Sequence, residues 1–201
     1  MEAGVLLAAG ESTRMGRPKM LLPWRGTTLI EDCTRSLLAA VDRLYVVLGA
    51  DADRLRPIVE PYPVQIVLND RYRDGRATSI ATAARAIDRT ATAVLVSSVD
   101  QPRDPSIHRQ VLTSRSTRHA LIARAVYHGA HGHPTAFAGA LLNELAAVSE
   151  AREGMKSLLR AHAGCILDVE IDDPLVLVNL NTPEEYERAA TLFGGATRPY
   201  H

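Results

Sequence analysis

Short apolar runs alternate with longer amphipathic segments along the whole of this 201-residue chain. The short runs are rich in valine, leucine and isoleucine and predict strands, whereas apolar positions that recur every three or four residues predict helices. The predicted strands span residues 5–9, 44–48, 64–68, 93–97, 120–125 and 166–171. The predicted helices span residues 27–40, 51–59, 78–88, 105–114, 138–148, 155–163 and 183–192.

Several of the strands are apolar throughout instead of alternating between apolar and polar positions. Residues 44–48 read Leu-Tyr-Val-Val-Leu and residues 93–96 read Ala-Val-Leu-Val, which is typical of strands covered by helices on both faces. Because strands and helices alternate, the sequence predicts a three-layer, doubly wound α/β fold with a mostly parallel sheet. The length fits a single domain over residues 1–193, followed by a flexible tail at residues 194–201.

Two helix starts and one irregular region complete this pattern. Asp104-Pro105 predicts an N-cap followed by proline at the first helical position, and Thr182-Pro183-Glu184-Glu185 predicts a capping box. Residues 127–134 are rich in glycine and histidine and interrupt the alternation. We interpret them as a loop or short hairpin that lies over a site.

The stretch from Leu7 to Lys19, LAAGESTRMGRPK, follows a buried strand and carries the clearest chemistry. Its glycines, hydroxyls and cations can place backbone N–H groups and positive charge against a polyphosphate. The spacing matches neither a Walker loop nor G-x-G-x-x-G, and a glycine turn with solvated arginines is the alternative. The only lysines are Lys19 and Lys156, and a compact ammonium at this turn favours phosphate binding.

Other polar side chains follow later strands, at the sheet edge where open α/β sheets bind ligands. Asp100 follows an apolar strand and could hold Mg²⁺, which takes one or two carboxylates together with phosphate oxygens. The alternative is that Asp100 forms an Asx turn. Asn69 and Ser79 flank Gly75 and could bind a base edge or ribose, or they could be an ordinary turn asparagine and helix-start serine.

Two further segments carry polar groups whose role the pattern leaves open. The run His131-Gly132-His133-Pro134 has no third metal ligand nearby in sequence, which favours contact with a substrate over metal binding. Asn179 and Asn181 are neutral and poor Mg²⁺ ligands beside a carboxylate. Asn181 could also simply lead into the Thr182 cap.

Composition and charge exclude several classes of protein. A hydrophobic share of 46% and a formal net charge of zero argue against disorder, general nucleic-acid binding and attachment to a membrane surface. The sequence has no apolar run of about 18 residues, and residues 1–4 lack a signal-peptide start, so we expect a cytoplasmic protein. Cys33 shares an apolar stripe with Leu29, Ile30 and Leu37, which predicts a packed core thiol.

Together these residues resemble the MobA-like NTP transferases, the nucleotidyltransferases that mature the molybdenum cofactor, over nearly the whole chain. The matching motifs are Leu7-Ala8-Ala9-Gly10-x-Ser12-x-Arg14-Met15-Gly16-x-Pro18-Lys19-x-x-Leu22-Pro23, Gly75-x-x-x-Ser79, Asp100-Gln101-Pro102, Gly132-His133-Pro134 and Asn181-Thr182-Pro183-Glu184. The first motif is also similar to sugar-nucleotide pyrophosphorylases and isoprenoid cytidylyltransferases. Asp-Gln-Pro together with Gly-His-Pro narrows the resemblance to the molybdenum cofactor branch, which implies a Rossmann-like nucleotidyltransferase fold.

Within that branch, the form Leu-Ala-Ala-Gly and the segment 17–23 look like the CTP-using enzymes, whereas the GTP-using relatives typically carry Leu-Ala-Gly-Gly. The segment 179–183 departs from this pattern. The cytidylyl enzymes usually have acidic residues there, and the asparagines of this chain are closer to the guanylyl pattern. The resemblance therefore implies CTP as the favoured donor, with GTP as the alternative.

The resemblance implies that a pterin phosphate monoester attacks the α-phosphorus of a nucleoside triphosphate and pyrophosphate leaves. It assigns catalytic roles to Arg14, Lys19 and Asp100, with Mg²⁺ bound by Asp100. The implied nucleotide contacts are Leu7, Ala8, Ala9, Gly10, Ser12, Arg14, Gly16, Lys19, Asn69 and Ser79. The implied contacts for the molybdopterin-type acceptor are Gly132, His133 and Asn181. A molybdoenzyme would receive the product, without a nucleic-acid or membrane partner.

Two alternatives stay open at this point. The first is an enzyme of the same fold with another acceptor, such as a sugar phosphate, methylerythritol phosphate or phospholactate. The second is a nucleotide-binding module that lacks catalysis because Asn179 and Asn181 stand where a second metal-binding carboxylate would be needed.

Overall fold

The computed structural model describes residues 1–12, 15–16 and 18–194. The strands in these residues are β1 (Glu2–Ala8), β2 (Pro23–Trp24), β3 (Thr27–Thr28), β4 (Arg43–Leu48), β5 (Val64–Leu68), β6 (Ala93–Ser98), β7 (Ile122–Tyr127), β8 (Ala130–Ala138) and β9 (Ile166–Glu170). The α-helices are α1 (Leu29–Leu38), α2 (Ala52–Val59), α3 (Arg76–Ala86), α4 (Pro105–Thr117), α5 (Leu142–Ala147), α6 (Met155–Ala161) and α7 (Pro183–Phe193).

Seven of the described strands form one sheet in the order β5-β4-β1-β6-β8-β7-β9. Strand β1 is parallel to both β4 and β6, and the pairs β4–β5 and β7–β9 are also parallel. Only β8 runs the other way in this sheet, antiparallel to β6 and β7. The predicted mostly parallel sheet is therefore confirmed.

Helices cover both faces of this sheet because the sheet is apolar on both faces. Side chains alternate along β1: Val5 and Leu7 join the core formed with α3, α5 and α6, whereas Leu6 and Ala8 join the core formed with α1, α2, α4 and α7. Two apolar faces need two layers of helices to exclude water. The predicted three-layer architecture is confirmed.

The order of the strands creates a crevice between β1 and β6. From β1 the chain proceeds outward to β4 and β5, and it then returns to place β6 on the other side of β1. The strand order therefore reverses at β1, and ligands bind beside such a switch point, at the carboxyl ends of the strands, in doubly wound folds. Leu7 pairs with Ser98 in register, and the Val99 N–H donates to the Leu7 carbonyl at 3.0 Å.

Strand β8 is the main departure from the predicted elements. Residues 127–134 do include a hairpin turn, with His128 and Gly129 at φ 47° and 77°. The second arm, however, is a nine-residue strand that lies between β6 and β7. The predicted helix start at residue 138 is wrong, because the strand continues to Ala138 and α5 begins at Leu142. Tertiary pairing outweighs the weak strand propensity of glycine and proline here.

Most other boundaries agree with the sequence pattern to within a few residues. The Thr182 hydroxyl accepts from the Glu185 N–H in the predicted capping box. Asp104 is the N-cap residue of α4, but its carboxylate accepts a hydrogen bond from Arg25 at 2.5 Å. Cys33 is buried as predicted, and burial raises the pKa of its thiol. In the described residues no helix is long and apolar enough to cross a membrane, and tail residues 195–201 lie outside them.

The unexpected strand β8 can be tested through its core residue Phe137, which is 0% exposed. We expect Phe137→Ala to lower the free energy of unfolding by about 3–5 kcal/mol, because it leaves a cavity in the core. Urea unfolding measures this change. The control Leu192→Ala removes a side chain that is 67% exposed and should change stability by no more than about 0.5 kcal/mol. A loss below about 1 kcal/mol for Phe137→Ala would contradict the burial of β8.

Candidate active site

A cleft of about 180 Å³ opens at the carboxyl ends of β1 and β6. The main chain of the loop after β1 forms one wall, and side chains from Lys19, Asp100 and the start of α3 form the others. The lining residues are Leu7, Ala8, Ala9, Gly10, Lys19, Met20, Tyr72, Arg76, Ser79, Ser98, Val99 and Asp100. The structure thus brings together six of the residues predicted to bind the nucleotide, together with the predicted metal ligand.

Lys19 and Asp100 face each other across this cleft. The Lys19 ammonium donates to Asp100 Oδ2 at 3.0 Å, although the two residues are 81 positions apart in the chain. Their side chains are only 16% and 15% exposed, so water screens the pair less than a surface ion pair. The geometry places a cation and a carboxylate where a phosphate and a divalent metal could both be bound.

The pKa of Asp100 reports on this arrangement. Burial by itself would raise the pKa of a carboxyl group. The positive charge of Lys19, together with hydrogen bonds from Ser98 and Lys19 and the charge of Arg76, outweighs burial and holds the pKa of Asp100 below its ordinary value. Asp100 is therefore ionised at neutral pH, as a metal ligand has to be.

One oxygen of Asp100 is available to bind a metal ion whose other ligands would come from a substrate. Oδ1 is buried and has no hydrogen-bond partner among the described residues. In that part of the chain no group of three or more histidine, cysteine or acidic side chains could hold a metal. A magnesium ion does not need such a group, because it is commonly bound through one or two carboxylates plus phosphate oxygens and water.

The loop after β1 keeps its shape through Ser12 and leaves space at its glycines. The Ser12 hydroxyl accepts from the Lys19 N–H at 2.9 Å, and the Ser12 carbonyl accepts from the Met15 N–H at 2.9 Å. A Cβ atom on Gly10 would meet no atom of the described residues within 4 Å, so this position leaves room for a ligand close to the backbone. Gly16 adopts φ +64°, which favours glycine. Arg14 lies outside the described residues.

Asn69 is hydrogen-bonded to a residue that lines the cleft. Its side-chain amide donates to the hydroxyls of Ser79 at 2.8 Å and Thr78 at 2.9 Å, and its oxygen accepts from the Arg71 N–H. Asn69 is 3% exposed and does not line the cleft, whereas Ser79 does. Asn69 therefore holds Ser79 in position near the start of α3. Direct contact between Asn69 and a base stays a prediction.

A second cavity, of about 340 Å³, adjoins the cleft. Arg76 lines both spaces, and the larger one also contains His133 and Lys156 beside apolar side chains such as Ile80 and Leu159. Burial lowers the pKa of His133 to about 4, with a smaller contribution from the charge of Arg76. His133 is therefore neutral at pH 7. The cations of this cavity are Arg76 and Lys156, and its carboxylates are Glu150, which accepts from the Ala77 N–H, and Glu153, which is paired with Arg160.

The other residues predicted to bind the acceptor lie beside these cavities and do not line them. A Cβ atom on Gly132 would lie 2.2 Å from the Val176 carbonyl oxygen, so Gly132 serves close packing. The Asn181 N–H donates to the Glu185 carboxylate at 2.7 Å in the cap of α7. The neighbouring Leu180 N–H donates to the Asp100 carbonyl at 2.8 Å. Acceptor binding by Gly132 and Asn181 stays a prediction.

Arg76, Tyr72 and Lys156 line these cavities, although no sequence motif predicts a role for them. Arg76 lies inside the motif Gly75-x-x-x-Ser79 and Tyr72 lies three residues before it, so their position after β5 was the available signal. For Lys156 the signal was that the chain has only one other lysine.

A cationic loop and a carboxylate at the crevice of a doubly wound sheet define an α/β enzyme of the nucleotide-binding class. The family model for the MobA-like NTP transferase domain matches residues 4–165. The chain therefore belongs to the MobA-like NTP transferase family, and it is a nucleotidyltransferase related to the molybdenum cofactor cytidylyl- and guanylyltransferases.

Three curated relatives align with most of the chain. Nicotine blue oxidoreductase of Paenarthrobacter nicotinovorans is 32% identical, over 92% of this chain and 94% of that protein. Molybdenum cofactor guanylyltransferase of Xanthomonas euvesicatoria pv. vesicatoria is 29% identical, over 92% of both chains. Molybdenum cofactor cytidylyltransferase of Escherichia coli K12 is 25% identical, over 90% of this chain and 92% of that one.

The fold is also shared with a solved protein. The crystal structure of Rv0371c from Mycobacterium tuberculosis H37Rv superposes with a TM-score of 0.82 at 26% identity, and the match covers 94% of this chain and 97% of that chain. A second crystal structure of Rv0371c is a complex with manganese, and it superposes with a TM-score of 0.76 at 27% identity, over 93% and 96% of the two chains.

The ion pair in the cleft leads to a prediction about acid titration. Because its folded-state pKa is lowered, Asp100 stabilises the fold above the ordinary carboxyl pKa, and this contribution is lost as the pH falls through the lowered value. In Lys19→Met burial is left less opposed, so we expect the pKa of Asp100 to rise. Carboxyl ¹³C NMR titration of the metal-free protein measures it. Lys156→Met, which removes the other lysine, should leave the Asp100 titration unchanged; an unchanged titration in Lys19→Met would contradict the pairing.

Proposed function

We propose that this nucleotidyltransferase moves a nucleoside monophosphate from a nucleoside triphosphate, with CTP favoured, to the phosphate of a molybdopterin-type acceptor. Pyrophosphate is released, and Mg²⁺ is the metal cofactor. The observation that carries this proposal is the Lys19–Asp100 pair at 3.0 Å in a cleft that shares Arg76 with a second cavity. One space suits the donor nucleotide and the adjoining space suits the acceptor.

The triphosphate would bind against the loop after β1. Gly10 leaves the backbone open to a phosphate, and the Lys19 ammonium stands at the same end of the cleft. Backbone N–H groups and a lysine are the groups that commonly bind phosphate chains in proteins. The base would lie near Ala8 and Ser79. Arg14 would add a second cation to the triphosphate.

The donor set fits a divalent cation at Asp100. Oδ1 is free to coordinate and Oδ2 is held by Lys19. Asp100 would hold the Mg²⁺ ion, which would supply charge neutralisation for the phosphate groups when bound. The crystal structure, in complex with manganese, of Rv0371c, a protein 27% identical to this chain, supports a divalent-metal site here.

The acceptor would occupy the larger cavity. Its apolar walls, which include Ile80 and Leu159, suit the faces of a ring system, and the neutral imidazole of His133 can exchange hydrogen bonds with ring polar groups. Lys156 and Arg76 provide positive charge for a phosphate. Because Arg76 borders both spaces, a phosphate beside it is directed toward the donor.

The reaction then needs alignment more than proton transfer. An oxygen of the acceptor phosphate forms a bond to the α-phosphorus, the bond from the α-phosphorus to the bridging oxygen of the β-phosphate breaks, and pyrophosphate leaves with that electron pair. A phosphate monoester is largely dianionic at neutral pH because its second pKa is about 6. No protein side chain has to remove a proton, and the cations hold the reacting groups in line.

The 32% identity to nicotine blue oxidoreductase supports a second candidate, because related folds carry unrelated chemistry. An oxidoreductase that uses a nicotinamide dinucleotide would have to bind that cofactor. The chain lacks G-x-G-x-x-G after β1, the fingerprint for a dinucleotide pyrophosphate. This favours the transferase.

The decisive experiment incubates the protein with a metal-free or molybdenum-loaded pterin monophosphate, labelled CTP or GTP, and Mg²⁺. We expect pyrophosphate release that requires all three components, and faster turnover with CTP than with GTP. CTP should also raise the melting temperature more than GTP does, because a ligand that binds only the native state stabilises it.

Parallel arms of this experiment test the alternative functions. They replace the pterin with a sugar phosphate, or supply a nicotinamide dinucleotide with nicotine blue. Nucleotide binding without transfer to any acceptor would indicate a binding module.

Removing either member of the ion pair should reduce turnover in the same assay. We expect Lys19→Ala and Asp100→Asn each to lower the rate on the order of 10²-fold or more, because each removes a charge that stabilises the transition state. Both should fold, since neither side chain belongs to the apolar cores. Arg118→Ala, at the exposed end of α4, is the matched loss of a cation and should retain full activity. Normal rates in Lys19→Ala or Asp100→Asn would contradict the assigned roles.

A further inference from the structure

Arg103 is a fully buried cation close to the active site. It is 1% exposed and follows Asp100-Gln101-Pro102 directly. The ion pairs found in the described residues include none with Arg103. Burial lowers its pKa to about 9, which leaves it charged at neutral pH. A buried charge without an ion-pair partner is costly, so its hydrogen bonds need an explanation.

Within the part of the chain that the structure describes, the guanidinium of Arg103 donates all its hydrogen bonds to main-chain carbonyl oxygens. Nε donates to the His133 carbonyl at 3.0 Å, and Nη1 donates to the Pro102 carbonyl at 2.9 Å. Nη2 donates to the carbonyls of Val176 at 2.9 Å and Val178 at 2.8 Å. One side chain therefore joins three segments that are far apart in sequence.

Each of these segments borders the proposed reaction site. His133 lines the larger cavity, and Pro102 lies two residues after the metal-binding candidate Asp100. The segment after Val178 contacts Asp100: the Leu180 N–H donates to the Asp100 carbonyl at 2.8 Å. It is also tied to Gln101, whose amide donates to the Asn179 side chain at 2.9 Å. Arg103 thus connects segments that border the two cavities, although it lines neither of them.

Gly132 shows how closely these segments approach one another. A Cβ atom at this position would lie 2.2 Å from the Val176 carbonyl oxygen and 2.5 Å from a Val176 methyl group. Glycine therefore permits β8 and the Val176 segment to come close enough for the carbonyls of His133 and Val176 to meet one guanidinium. The Gly132-His133-Pro134 motif and Arg103 therefore hold the same two segments, β8 and the Val176 segment, close together.

We propose that Arg103 is a positioning residue that sets the distance between the acceptor cavity at His133 and the nucleotide cleft at Asp100. This inference rests on the proposed function, because it concerns the alignment of two substrates. Arginine suits the task because its planar fork presents several donors in fixed directions. Lysine has three donors on a single nitrogen, so Arg103→Lys would keep the charge but could not span the three segments.

The kinetic test compares Arg103→Lys and Arg103→Met with Arg115→Met. Arg115 is also buried, but among the described residues its side chain donates a single hydrogen bond, to the Ala120 carbonyl at 3.4 Å. We expect the two Arg103 variants to bind CTP with Mg²⁺ within about threefold of the wild-type affinity, while kcat/KM for the acceptor falls on the order of 10²-fold, as misalignment of reacting groups predicts. Arg115→Met should lose stability without this split between donor binding and acceptor use.

Gly132→Ala provides an independent variant that leaves Arg103 in place. Its added methyl group pushes β8 away from Val176, so we expect the same split: normal CTP affinity and impaired acceptor use. If Arg103→Met does not fold, Arg103→Lys and Gly132→Ala decide the question.

Amide hydrogen exchange gives a readout that needs no substrate. In Arg103→Lys we expect faster exchange in segments 131–133 and 176–180, with unchanged exchange in β1. Absence of any transferase activity in the wild-type protein would overturn the proposed function, and the exchange result would still show whether Arg103 joins these segments. The positioning role is overturned by wild-type acceptor kinetics in folded Arg103→Lys, by a parallel loss of CTP affinity, or by the same kinetic split in Arg115→Met.

Discussion

The parallel pairing of β1 with β6 is the constraint on which the active site depends. It is the point where the chain, after building β4 and β5 on one side, returns to the other side of β1. The register that pairs Leu7 with Ser98 brings the ends of both strands level. Lys19 and Asp100, 81 residues apart, consequently meet at 3.0 Å. A shift of this register by one residue would turn the side chains of β6 to the opposite face.

The site holds a largely buried carboxylate, Asp100, beside a largely buried cation, Lys19, and both groups stay charged. Asp100 is kept ionised by Lys19 although burial alone would favour its neutral form. One of its oxygens stays free of hydrogen bonds in the described residues, an arrangement that is costly in the absence of a ligand. A preorganised site of this kind stabilises charge in a transition state without reorganising water. The main-chain network around Arg103 extends the same principle to the acceptor side.

The relatives show why the fold alone does not define the reaction. Similar chains carry the names of a cytidylyltransferase, a guanylyltransferase and an oxidoreductase. The doubly wound core and its crevice are compatible with each of these activities. The distinctions have to lie in the lining of the two cavities, where Arg76, Tyr72 and Lys156 supply groups that a motif search does not single out.

Local patterns in the sequence determined the strands of the parallel core, the covering of both sheet faces and the polar loops at the carboxyl ends, because apolar periodicity and capping residues act over a few neighbouring positions. The tertiary structure alone decided the place of β8, whose glycine, histidine and proline residues are poor strand formers held in the sheet by β6 and β7. It also decided that Asn69 binds Ser79, that Gly132 packs against Val176, and that Arg103 joins three distant carbonyl groups. These contacts depend on the separation of remote segments in space, which no short-range pattern encodes.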